Sequence, residues 1–81
     1  MNTDLQQKIK LLVSELTGLE LSQLTNSADF AVDLNLNKAE VAEMIAGLEK
    51  QLKFELESEE VVKIKTFGRL VAVVSEKIEE W

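Results

Sequence analysis

A small all-α bundle is the fold class that the sequence predicts. Three stretches carry apolar side chains at helical spacing, and the 81-residue chain has three glycines and no proline to interrupt a helix. A chain of this length corresponds to one small domain, so we expect residues 1–81 to form a single unit with one core.

The first helix is predicted over residues 3–17. Thr3 can act as its N-cap with Gln6 as the capping-box partner, and Gly18 follows the last turn as a stop signal. One face of this helix is apolar and consists of Leu5, Ile9, Leu12, Val13 and Leu16.

A long connection follows, from Gly18 to Asn37. A structureless loop of about 20 residues is unusual in a compact domain. We therefore expect this loop to be partly ordered, with a short turn at 21–24, and to be tied down by burial of its apolar side chains. Those side chains are Leu19, Leu21, Leu24, Phe30, Val32, Leu34 and Leu36.

The second helix is predicted from Lys38 to Leu52. Asn37 is its expected N-cap, and Glu40 stands at the third helical position, where a carboxylate suits both a capping box and the helix dipole. The predicted buried stripe is Val41, Met44, Ile45, Leu48 and Leu52. The opposite side carries Glu40, Glu43, Ala46, Glu49 and Lys50.

The last third of the chain predicts a connector and two more helices. Phe54 and Leu56 alternate with polar residues, Ser58 caps a short third helix over 58–64, and Thr66 caps a fourth. The fourth helix has an apolar face of Phe67, Leu70, Val71, Val74, Ile78 and Trp81, and a polar side of Arg69, Ser75, Glu76, Lys77 and Glu79. The result is a small four-helix bundle with a long loop and a short third helix.

The composition excludes several kinds of chemistry. Without cysteine there is no disulfide and no thiolate, and without histidine the commonest general base and metal ligand are missing. We therefore expect no catalytic residues and no metal site. No apolar run reaches 18 residues and the N-terminus does not resemble a secretory signal, so we expect a cytoplasmic protein without a membrane span.

The net charge of −6 is unevenly distributed. Residues 29–62 hold nine acids against three bases, which accounts for the whole excess. Such a segment repels nucleic acids and attracts proteins with basic patches, although acids also serve solubility alone. We expect a monomer that binds no nucleic acid.

The segment before the second helix carries a resemblance to a known family. Its residues are Asp33, Leu34, Asn35, Leu36, Asn37, Lys38 and Ala39. The segment resembles the Asp-Leu-Gly-x-Asp-Ser-Leu motif of the acyl carrier proteins, and the likeness runs nearly end to end without a gap. It includes the acidic residues Glu43 and Glu49, the segment SEEVVKIKT and the valine-rich last helix, and it implies the four-helix fold of that family.

The resemblance places Lys38 at the serine that in this family carries 4′-phosphopantetheine through a phosphodiester. A phosphate at a helix N-terminus meets unsatisfied backbone N–H groups and the positive end of the dipole. A lysine cannot form this phosphodiester, and an acyl amide on its amine would be too poor a leaving group for a shuttle. No other serine follows such a motif, so we predict that no 4′-phosphopantetheine is attached.

Two interpretations of Lys38 remain open at this stage. It is either a neutral replacement or a change that alters the choice of partner. The resemblance implies that the second helix faces basic patches on partner enzymes. Together with Lys38, the predicted partner face of Glu40, Glu43, Glu49 and Lys50 has a net charge of only −1. Charges at the rim of an interface mainly set association rate and specificity.

The resemblance also implies an acyl-chain cavity. Its expected lining is Val41, Met44, Ile45, Leu48 and Phe54. By default such residues form ordinary core, and entry of a free fatty acid or lipid is the weaker hypothesis.

Three functions are compatible with the sequence. The leading hypothesis is a carrier-like binding or regulatory module that acts by protein contacts in lipid and acyl-chain metabolism. The alternative is a genuine acyl carrier of fatty acid or polyketide/peptide biosynthesis, modified at a variant site. The third is a helical interaction bundle with no lipid role.

Overall fold

The computed structural model describes residues 3–79, and its regular elements are helical. The helices are α1 (Thr3–Thr17), α2 (Lys38–Leu52), α3 (Ser58–Val62) and α4 (Phe67–Glu79), and a 3₁₀ turn spans Leu21–Gln23. The all-α class and the bounds of α1 and α2 are confirmed. The third helix was predicted to reach residue 64, but it ends at Val62.

The helices and the long loop share one apolar core. Helices of 5 to 15 residues are marginal in isolation, so packing must hold them. The largest fully buried side chains come from α1, the loop, α2 and α4: Ile9, Val13, Leu24, Phe30, Ile45, Leu48, Phe67, Leu70, Val71 and Val74. Burial of these side chains is the main stabilising term.

The long loop is held against the start of α4. Three backbone hydrogen bonds cross between them: Phe30 N to Lys65 O (2.9 Å), Phe67 N to Ala28 O (3.0 Å) and Gly68 N to Asn26 O (3.0 Å). Phe30 and Phe67 are both buried beside these bonds. The predicted ordering of the loop is therefore confirmed, and the structure supplies the partner that the sequence did not identify.

Two loop side chains contradict the expectation of burial. Val32 is 82% exposed and Leu21 is 43% exposed. Val32 lies in a tight turn in which its N–H donates to Asp29 Oδ1 at 2.9 Å, and its side chain projects outward from the turn. Leu21 opens the 3₁₀ turn, which contains no buried residue.

Two helical side chains also differ from prediction. Leu16, assigned to the buried face of α1, is 43% exposed, and it lies over Gly47 of α2. Ser75, assigned to the polar side of α4, is buried at 4% exposure. Val73 is buried as well, so α4 buries more of its circumference than a single apolar stripe would.

The helix ends are fixed by local hydrogen bonds. Thr66 caps α4 as predicted, with its Oγ1 accepting from Arg69 N at 3.2 Å. Ser58 was predicted to cap α3, but it is the first helical residue and Glu57 is the N-cap. The Glu57 N–H donates to Glu60 Oε1 at 2.9 Å. The predicted Thr3 cap and Trp81 contact concern side chains outside those that the structure describes.

None of the helices within residues 3–79 combines the length and the hydropathy needed to cross a lipid bilayer.

Gly68 is required by the contact between the loop and α4. A Cβ atom at this position would lie 2.6 Å from Asn26 O, a backbone atom that cannot move independently. We expect Gly68→Ala to lower the free energy of unfolding by about 2 kcal/mol because the loop must shift. Chemical denaturation measures this change.

Gly47→Ala is the matched control. The atoms nearest to a Cβ at Gly47 would be the two terminal carbons of Leu16, at 2.8 and 2.9 Å, and that side chain is exposed enough to move. With a helix-propensity gain of about 1 kcal/mol, this variant should be no less stable than the parent. Equal losses in both variants would contradict the assignment.

Ser75 carries a buried hydroxyl whose Oγ has no hydrogen-bond partner among the described residues. Its replacement by alanine removes an unsatisfied polar atom from the core and improves helix propensity. We expect Ser75→Ala to raise the free energy of unfolding by about 1 kcal/mol.

Ser14→Ala is the comparison variant for this prediction. Ser14 Oγ donates to Leu19 O at 2.6 Å, so its removal leaves a carbonyl without that donor. In thermal and urea unfolding, Ser75→Ala should therefore raise the free energy of unfolding, whereas Ser14→Ala should lower it. A loss of stability in Ser75→Ala would mean that its hydroxyl is satisfied in solution.

Candidate functional site

The start of α2 is closed by a reciprocal capping box. Asn37 is the N-cap, and its Oδ1 accepts from Glu40 N at 2.8 Å. In return, Asn37 N donates to Glu40 Oε1 at 2.9 Å. Both roles agree with the sequence prediction. The box satisfies donors that would otherwise face solvent, and it places a carboxylate near the positive end of the helix dipole.

An aspartate pair shapes the chain that leads to α2. Asp29 Oδ1 accepts from the N–H groups of Ala31 and Val32, each at 2.9 Å. Asp33 Oδ2 accepts from Asp29 N at 2.8 Å, and Leu34 N donates to Asp29 O at 3.0 Å. Asp33 was singled out as part of the family motif, and its contacts in the structure are those of a turn scaffold.

Residues 34–36 direct the chain into the helix. Leu34 is buried, and Asn35 adopts a left-handed conformation with φ 57°. Asparagine tolerates this region better than most residues, which agrees with its place at the motif's glycine. Leu36 N then donates to Phe30 O at 2.8 Å, so the approach to α2 is pinned to the core residue Phe30.

Lys38 is the first residue of α2 and is exposed. Within residues 3–79 its ammonium group makes no hydrogen bond or salt bridge. A cation in the first helical turn opposes the dipole by about 0.3–1 kcal/mol at low salt. Nothing in the fold therefore requires a lysine here. Ala39, the next motif position, is exposed as well.

The predicted partner face is only partly free. Glu40, Glu43 and Lys50 are exposed, and the Glu40 carboxylate already accepts a hydrogen bond in the capping box. Glu49 is half-buried, and its Oε2 accepts from Leu56 N at 2.8 Å. Glu43 and Lys50 are therefore the side chains of this face that bind nothing else in the described structure.

The role of Glu49 depends on how the chain leaves α2. Lys53 ends the helix in the left-handed conformation with φ 57° and ψ 55°, and its N–H donates to Glu49 O. The connector then folds back so that Phe54 and Leu56 are buried. The sequence did not predict the hydrogen bond from Leu56 N to Glu49 Oε2. That bond requires the chain to turn back at Lys53, and a lysine rarely adopts a left-handed conformation.

The side chains predicted to line an acyl cavity lie in the core. Met44, Ile45, Leu48 and Phe54 are buried, and Val41 packs against the core from a half-buried position. Met44 also borders a surface depression of about 230 Å³ between the end of α1 and the start of α2. The depression is lined by Leu16, Thr17, Leu36, Glu40, Glu43 and Met44.

The residues at the start of α2 do not fit the covalent attachment of 4′-phosphopantetheine. A phosphodiester needs a side-chain hydroxyl, and the first helical turn contains Lys38, Ala39 and Glu40. Ser14 lies on α1 and its Oγ donates to Leu19 O, Ser75 is buried, and Ser22, Ser27 and Ser58 are exposed elsewhere in the fold. Within residues 3–79 there is also no cluster of three or more side chains suited to a metal ion.

Comparison with known proteins relates the chain to carriers. Residues 7–74 match the family model described as phosphopantetheine attachment site. The chain is also 26% identical over 70 residues to an acyl carrier protein of Chlamydia felis (strain Fe/C-56). That alignment covers 86% of this chain and 90% of the relative.

The capping box yields a stability prediction. Asn37→Ala removes the acceptor for Glu40 N and should cost about 1 kcal/mol in the free energy of unfolding. Asn37→Asp keeps the acceptor and adds a charge that favours the helix dipole, so it should be at least as stable as the parent. Urea denaturation compares the variants.

Gln51→Ala serves as the control, since Gln51 is an exposed amide on the same helix. If Asn37→Ala loses no more stability than Gln51→Ala, the capping box does not stabilise α2.

Proposed function

The chain belongs to the acyl carrier protein family, and from that premise we propose that it is a binding module without attached phosphopantetheine. It acts through contacts with proteins of lipid and acyl-chain metabolism rather than by carrying acyl groups. The observation that carries the proposal is the exposed Lys38 at the first position of α2, where the family chemistry needs a hydroxyl.

The chemistry of the amine supports the absence of carriage. A carrier must accept an acyl group and release it again, which a thioester on a phosphopantetheine arm allows. Acylation of the Lys38 amine would form an amide, with the thiol of the donor thioester as the leaving group. Because an amide resists onward transfer, an acyl group on Lys38 would be a dead end.

The surface around Lys38 supports a role in recognition. Glu43 and Lys50 are exposed on α2 and are unpaired in the described structure. Lys38 and Lys50 lower the negative charge that this helix presents to basic patches on a partner. Since charges at an interface rim set association rate and specificity, the partner should differ from the enzymes that bind ordinary carriers.

A bound acyl chain is not part of this proposal. Met44, Ile45 and Leu48 are each no more than 2% exposed, so a lipid could enter among them only by displacing packed core. These side chains instead stabilise the fold as part of its core. The proposal also assigns a monomeric state and a cytoplasmic location to the protein.

Covalent loading tests the proposal directly. The purified chain is incubated with coenzyme A and a broad-specificity phosphopantetheinyl transferase, and its intact mass is measured. We expect the parent chain to keep its mass because no suitable hydroxyl opens α2. Lys38→Ser restores that hydroxyl beside the retained Asp33 and Leu34, and it should gain one phosphopantetheine.

Lys38→Ala is the matched control, because it removes the lysine without supplying a hydroxyl and should also keep its mass. A gain of one phosphopantetheine by the parent chain would overturn the proposal and favour a carrier modified at a variant site. Peptide mapping of the modified chain would then identify the serine.

A further inference from the structure

A basic segment, opposite in net charge to residues 29–62, follows α3. Residues 63–77 contain four bases, Lys63, Lys65, Arg69 and Lys77, and one acid, Glu76. In a chain with a net charge of −6, this segment has a net charge of +3. It begins at the C-cap of α3 and runs through the link into α4, and it includes no residue of α2.

Several of these side chains line a groove between α3 and α4. The groove has a volume of about 230 Å³ and is bordered by three cations, Lys63, Arg69 and Lys77, by two carboxylates, Glu60 and Glu76, and by Val73. Lys63 follows α3 directly as its C-cap. The residues from α4 recur at helical spacing, so they form one continuous side of the groove.

The ion pairing within the groove leaves two cations outside any salt bridge among the described residues. Lys77 Nζ lies 3.2 Å from Glu60 Oε1, which also accepts the Glu57 N–H. The pKa of the Glu60 carboxyl lies below its usual range, and the backbone hydrogen bond from Glu57 is the largest cause. The positive charges of Lys77 and Lys63 lower this pKa further. Lys63 and Arg69 are exposed, and their side chains make no hydrogen bond or salt bridge within residues 3–79.

The shape of the groove distinguishes between anionic occupants. Residues 69 and 77 lie about 12 Å apart along α4. That length suits several residues of extended peptide better than one phosphate ion. A nucleic acid would bring many phosphates into the field of a chain that is strongly acidic elsewhere. Val73, at the side of the groove, offers apolar contact to a peptide side chain.

We propose that the groove between α3 and α4 is a docking surface for an acidic segment of a partner protein. Carboxylates of that segment pair with Lys63 and Arg69, while the Lys77–Glu60 salt bridge stays in place as one wall. This inference is independent of whether the chain carries phosphopantetheine, because none of its residues lies in α2.

A titration followed by amide chemical shifts tests the proposal. The probe is a short synthetic peptide in which glutamates flank a leucine, and the control peptide has lysines in place of the glutamates. At low ionic strength we expect saturable shift changes confined to residues 57–77, caused by the acidic peptide alone. They should vanish at about 1 M salt, where the Debye length is about 3 Å.

Charge-matched variants sharpen the test. Lys63→Gln combined with Arg69→Gln removes the two unpaired cations and should weaken binding by about five-fold. Lys8→Gln combined with Lys10→Gln changes the net charge equally on α1 and should leave the affinity unchanged. Both double variants concern surface side chains, and their unfolding temperatures check that the fold is intact.

Three outcomes would overturn the proposal. Shifts that map to α1 or α2 would place the site elsewhere. If both double variants weakened peptide binding equally, the net charge of the chain and not the groove would determine the affinity. Shifts at residues 57–77 that grow with protein concentration in the absence of peptide would assign the groove to a second copy of this chain.

Discussion

The hydrogen bonds around Phe30 are the constraint on which the rest of the structure depends. Its N–H donates to Lys65 O at the approach to α4, and its carbonyl accepts from Leu36 N at the approach to α2. Its ring is buried in the core between these bonds. Phe30 therefore links the loop to the approaches of both α4 and α2. Contacts that lie outside α2 therefore help to position Lys38.

The start of α2 does not depend on a bound group. The capping box between Asn37 and Glu40 satisfies backbone donors that a phosphate would otherwise meet. Glu40 also offsets the unfavourable position of the Lys38 charge at the positive end of the dipole. The helix thus begins stably with a neutral cap and a cation, so the fold of a carrier can persist where the chemistry of a carrier has no hydroxyl to use.

Sequence patterns could predict the elements whose causes are local. The bounds of α2, its Asn37 cap and the tolerance of Asn35 for a left-handed backbone all depend on residues within one turn. The patterns could not predict the docking of the loop on α4, since it depends on close backbone approach at Gly68. Nor could they predict the contact from Glu49 to Leu56, which exists because the chain reverses at Lys53. At the candidate site, the places of the residues on α2 were therefore predictable. The hydrogen bond that already occupies the Glu49 carboxylate was not.

The charges of the domain are unevenly distributed along the chain, so its surface is not described by one average charge. Its extents are 32 × 26 × 19 Å, whereas the Debye length at physiological ionic strength is about 8 Å. A partner at one surface therefore meets the local charges and not the net charge of −6. In the proposed function, this is why the dilution of negative charge on α2 by Lys38 and Lys50 would matter for recognition there, although the whole chain stays acidic. It is also why Lys63 and Arg69 can attract the carboxylates of a partner at close range. At a distance, the acidic chain as a whole would repel those carboxylates.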